Sequence, residues 1–163
     1  MSPLTPAAPD RIEFPATAPG PVAAALAGLV DEGGGWLNLF PEVSEGDVDR
    51  VTPSAVGLLF RAAGPPIPQA TVIAPTRGRR GGKPGEVGLT HGVGTKVLPG
   101  LATAGIGLPD GWRMVQDHVR RGVVVRIEGD FDPATVVDWS LRAASALCPV
   151  PLTGGWLAEV HHP

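Results

Sequence analysis

Gly111-Trp112-Arg113-Met114-Val115-Gln116-Asp117-His118-Val119-Arg120-Arg121-Gly122-Val123-Val124-Val125-Arg126-Ile127-Glu128-Gly129 is the stretch on which the reading of the fold turns. Two runs rich in apolar and β-branched residues flank a short polar turn, the pattern of a β-hairpin. With Arg120 and Arg121 as the two central turn residues, Arg113 faces Glu128, a favourable cross-strand pair. Strand alternation then gathers Trp112, Met114, Val123, Val125 and Ile127 on one apolar face. The same alternation carries Gln116 and His118 onto that face near the turn, either as hydrogen-bonded rim residues or as the lining of a pocket. Asp117 falls on the other face beside Arg126, as a solvated pair.

Downstream, Asp132-Pro133 supplies a cap and a first helical residue. Val137, Leu141, Ala144 and Cys148 then form one stripe of a helix that Pro149 and Pro151 end, and residues 155–160 read as a last strand. Upstream, residues 91–96 form a glycine-rich loop leading into a helix through Val97, Leu101 and Ala104, stopped by Gly105. Pro99 fits only in the first turn of that helix. Residues 69–74 and 86–90 read as two strands of a second hairpin, joined by a mobile Gly/Arg-rich loop at 76–85. Residues 64–68 are a Pro-rich connector. Thr52-Pro53 opens a short helix with Val56, Leu59, Phe60 and Ala63, although an extended reading also fits.

Residues 42–50 read as a polar, acidic connection, and residues 36–40 as a buried strand ended by Pro41. Before them Pro21 starts a helix with Val22, Leu26, Leu29 and Val30 on one face, stopped by the glycines at 33–35. Residues 1–19 are rich in Pro, Ala and Thr and read as loose, with an alternation at 11–14 that suits a short edge strand. Gly-Trp opens a strand three times, at 35–36, 111–112 and 155–156. An aromatic packing under the preceding helix explains this, and so does an old internal duplication.

Together these elements predict an α+β two-layer sandwich. It has a mostly antiparallel or mixed sheet of about six strands, three to four helices, and a single domain over 20–163. Hydrophobic residues at 43% and charged residues at 18% mark a folded rather than disordered chain. A net charge of −3 gives no global argument for nucleic acid or for an acidic membrane surface. The 23 glycines and 19 prolines imply many turns and short elements. Basic charge is nearly all Arg, which, with the abundant Ala, Gly and Pro, suggests a GC-rich bacterial genome. Cys148 is the single cysteine, so no disulfide framework or thiolate metal cluster is expected, and it reads as a buried structural thiol. The N-terminal residues lack the charged and apolar regions of a signal peptide, and no apolar run reaches membrane-spanning length. The expected location is the cytoplasm.

Two places carry candidate chemistry. At residues 89–96 a strand, a glycine loop and a helix start would present free backbone N–H groups to an anion. Gly92 and Gly94 allow close approach, and His91, Thr95 and Lys96 add side-chain donors. The Walker order of Gly-Lys-Ser/Thr is absent, and Val97 stands where a dinucleotide fingerprint needs its third glycine. A plain turn with Thr95 as a cap explains the same residues. At the hairpin turn Arg120 and Arg121, beside His118, suit a phosphate or carboxylate, although exposed arginines are more often simply solvated. The Arg/Gly run at 77–83 lacks an aromatic platform for RNA. His91, His118 and Asp117 have no metal-ligand spacing, so no metal site is assigned.

The leading expectation is a domain that binds a compact anionic ligand through Gly92, Gly94, Thr95, Lys96, Gln116, Arg120 and Arg121. His91 or His118 would be acid or base if there is a reaction. The rival is a non-enzymatic interaction or assembly module, self-associating or docking on a protein partner through sheet and helix faces. RNA binding through the Arg/Gly loop is a third option. No cofactor, and no decision between enzyme and binding protein, follows from these residues.

Overall fold

The computed structural model describes residues 7–51, 64–78 and 81–163. The strands are β1 (Asp10–Pro15), β2 (Trp36–Val43), β3 (Gln69–Ile73), β4 (Gly85–Thr90), β5 (Trp112–His118), β6 (Gly122–Ile127) and β7 (Leu152–His161). The described helices are α1 (Gly20–Glu32), α2 (Glu45–Val51), α3 (Val97–Thr103) and α4 (Pro133–Leu147). The strands form one seven-stranded sheet in the order β1-β7-β2-β3-β4-β6-β5, and every neighbouring pair is antiparallel. The α+β class and the antiparallel sheet are as expected. The count exceeds six because residues 10–15 form a full edge strand on β7.

One face of the sheet is the core. Phe14, Leu37, Leu39, Val72, Val87, Leu89, Val125 and Ala158 are buried there. The long helices α1 and α4 pack against this face and against each other. The i, i+4, i+7 spacing of Val22, Leu26 and Leu29 brings all three into the core. Asp132 caps α4 by accepting from the Thr135 N–H at 3.0 Å, and Pro133 follows in the first turn. The stripe Val137, Leu141 and Ala144 is buried as expected, but the helix ends at Leu147. Cys148 therefore lies past the last turn and is only half-buried.

Three local expectations are corrected. Pro41 does not end β2, which runs on to Val43. Beyond Leu39 the strand has β7 but no longer β3 as a neighbour, so the missing proline N–H has no ladder bond to break on the β3 side. Residues 45–51, expected as a polar connection, are helical. The Ser44 hydroxyl caps the turn by accepting from the Asp47 N–H at 3.3 Å and donating to the Asp47 carboxylate at 2.8 Å. The third correction concerns the central hairpin. Trp112 lies opposite Ile127 and Met114 opposite Val125, but a bulge at Val115 then places Gln116 opposite Val124. Gln116 and His118 are thereby moved off the apolar face, and Asp117 is moved onto it. Arg126 pairs with Glu86 at 2.8 Å instead of with Asp117. The Arg113–Glu128 ion pair forms at 2.7 Å, although Arg113 stands directly opposite Arg126 in the ladder.

The short helix expected after Thr52 lies outside the described residues. Of the three Gly-Trp strand starts, Trp156 is buried, whereas Trp36 is 42% exposed and stacks on His161 with centroids 4.6 Å apart. Packing under the preceding helix thus does not account for all three. Among the described residues no helix is long and apolar enough to cross a membrane.

Candidate functional site

The glycine loop leaves β4 at Thr90 and enters α3 at Val97. His91 has no exposed surface. Its Nδ1 accepts from the Val93 N–H at 3.3 Å, while Nε2 is buried without a hydrogen-bond partner among the described residues. Burial holds the imidazole below the ordinary histidine range, against the opposing pull of the Asp117 carboxylate. The helix cap is Lys96, not Thr95, and Lys96 sits in the left-handed region at φ 57 with no side-chain cap bond. The cap anion comes from another element, since Asp117 of β5 accepts from the Leu98 N–H at 3.1 Å. This contact depends on the Val115 bulge, which turns Asp117 inward.

At the hairpin turn His118 Nδ1 accepts from the Arg120 N–H at 3.1 Å and from the Arg121 N–H at 3.2 Å. The Gln116 amide donates to the Arg121 and Gly122 carbonyls at 3.3 and 3.2 Å. Gln116, His118, Arg120 and Arg121 are therefore brought together, with the two polar side chains bonded to the turn backbone and both arginines exposed. Gly92, Gly94, Thr95 and Lys96 belong to a separate loop. Thr95 and Lys96 line a small pocket of about 200 Å³ against α3 and the end of α4, which His91 does not line. The link between loop and hairpin is Asp117, through Leu98 and through its field at His91. In the 76–85 loop the Thr76 N–H donates to the Lys83 carbonyl at 3.0 Å and closes the base. No three metal-ligating side chains converge among the described residues.

A larger hollow involves none of the residues singled out in the sequence as candidate site residues. Its volume is about 830 Å³, and it lies where β1, β7 and β2 run side by side. Strand register assigns Glu13, Leu157 and Phe40 to one row across these strands, on the face away from α1 and α4. Glu42 lies across Gly155, where an added Cβ would meet its carboxylate, the movable end of that side chain. The Thr153 hydroxyl donates to the Glu42 carboxylate at 2.8 Å. The one sequence signal here is the Gly154-Gly155 pair inside a strand. The hollow itself needs β1 and β7, from opposite ends of the chain, to pair.

Comparison with family models, with curated proteins and with solved structures returns no match for this chain.

Proposed function

We propose that this chain is a self-associating binding module, in which the sheet face turned away from α1 and α4 packs on that of a second copy. The observation that carries the reading is the composition of that face. Trp36 and Ile73 are 42% and 44% exposed on neighbouring strands, directly opposite one another, with Phe40 and Leu157 half-buried further along. Its arginines are already matched, as Arg11 pairs with Glu159 at 2.7 Å, Arg126 with Glu86 and Arg113 with Glu128. A face with its cations internally paired meets its own copy without strong like-charge repulsion. Strands about 4.8 Å apart make the face roughly 30 Å wide, or on the order of 500 Å² in projection. Its accessible area is larger, which approaches the roughly 800 Å² per partner of a standard interface. Sedimentation of the purified chain at micromolar concentration should give twice the monomer mass, and Trp36→Glu or Ile73→Lys should return the monomer with unchanged circular dichroism. A wild-type chain that stays monomeric up to about 0.2 mM removes the proposal.

A second reading, binding of a compact anion at residues 91–96, has one observation in its favour. Lys96 holds a left-handed backbone that a lysine adopts only at a cost of about 1 kcal/mol. Lys96→Gly should relieve that cost and raise the unfolding midpoint. If the side chain serves an anion, inorganic phosphate raises the melting temperature of the wild type and not of the variant. Equal behaviour of the two proteins in phosphate eliminates this reading.

A further inference from the structure

The hollow between β1, β7 and β2 has a charge balance unlike the rest of its face. Elsewhere on the face each acid of the three cross-strand pairs has an arginine. Around the hollow stand two carboxylates, Glu13 and Glu42, and no Lys, Arg or His. Glu42 accepts only from the Thr153 hydroxyl and Glu13 has no hydrogen-bond or ion-pair partner, among the described residues in both cases. The remaining lining is mainly apolar, with Phe40, Leu157, Pro15 and Pro41. The side-chain oxygens here are those of two carboxylates and of the Thr17 and Thr153 hydroxyls. No three metal-ligating side chains converge among the described residues, and the apolar wall offers a hard cation such as Ca²⁺ or Mg²⁺ nothing. An organic cation suits both parts of the lining. Its charged head meets the carboxylates, and its apolar body covers Leu157 and the ring of Phe40, which itself attracts a cation at its face. A volume of about 830 Å³ is that of a small-molecule site.

We infer that this hollow binds a small organic cation, an ammonium or guanidinium group carried on an apolar stem. The inference does not rest on self-association; because Phe40 and Leu157 belong to both surfaces, it is tested on a monomeric variant as well as on the wild type. Three probes with one ring separate charge from apolar fit: phenethylammonium, neutral 2-phenylethanol and anionic phenylacetate. In amide NMR titrations of the full chain, phenethylammonium should shift the Gly154, Gly155 and Leu157 signals saturably, with a Kd in the millimolar range or better. The alcohol should bind at least tenfold more weakly, and phenylacetate should leave these signals in place. Glu42→Gln should weaken phenethylammonium binding about tenfold. Glu13→Gln should do the same, and it breaks no hydrogen bond among the described residues. The same titrations on monomeric Trp36→Glu should give saturable phenethylammonium binding at least as tight as in the wild type, so the test stands whether or not a second copy covers the face. Phenylacetate acting on the same signals as phenethylammonium, no saturable shift, or wild-type affinity in both glutamine variants overturns the assignment.

Discussion

His91 and His162 give the stability of this chain opposite pH slopes. Burial lowers the His91 pKa, so below about pH 6.5 the unfolded chain takes up a proton that the folded chain refuses. Stability therefore falls as the pH drops through that value. His162 is exposed and lies between Glu32, 2.7 Å away, and Asp10, 3.2 Å away, and these hydrogen bonds raise its pKa. Its contribution is complete below the ordinary histidine value and is lost as the pH rises through the raised one. Urea midpoints measured from about pH 8 to about pH 5 should show both slopes. His91→Leu should flatten the acid side, and His162→Gln should flatten the other. That a histidine stands at position 91 is plain in the sequence. That it is enclosed, and feels Asp117, depends on a strand twenty-odd residues away arriving with a bulge.

At the level of elements, the helices with their own end signals were legible. Asp132-Pro133 marks the start of α4, and the cap bond to Thr135 forms as that pair of residues suggests. Asp132→Ala should cost about 1 kcal/mol in the urea midpoint at neutral pH. The same hydrogen bonds to Thr135 hold the Asp132 pKa below the ordinary carboxylate range. Their stabilisation is thus present at neutral pH and lost as the pH falls through the lowered value, so the variant and the wild type should converge in acid. The central hairpin was legible as two strands but not in its pairing. Alternation has a period of two, so a single extra residue, Val115, reverses every side chain between it and the turn. Nothing in the composition of 111–129 announces that bulge. The placing of Gln116, His118 and Asp117 was lost with it, and with them the expected meeting of His118 and the glycine loop.

For the whole molecule, the proposed self-association makes stability depend on protein concentration. If the folded form is a dimer, each tenfold rise in concentration adds about 1.4 kcal/mol per dimer and raises the melting temperature by a few degrees. Trp36→Glu should remove this dependence, while its melting temperature at low concentration stays near that of the wild type. A melting temperature of the wild type that is flat over two decades of concentration excludes a dimer dissociating in that range.

The sequence by itself determined the α+β class, the strands of the two hairpins, the glycine stop of α1, the start of α4 and most of the buried face. Each of these follows from local periodicity and from caps that act within a few residues. Only the tertiary structure decided which side chains share a surface. The order β1-β7-β2 joins residues 13 and 157, and the bulge at Val115 sets which way Asp117 points. Pairing across such separations is governed by the closing of long loops and by the register of strands, neither of which leaves a mark on the residues brought together. For that reason the acidic hollow of Glu13 and Glu42 was invisible in the sequence, although its two glycines were in plain view.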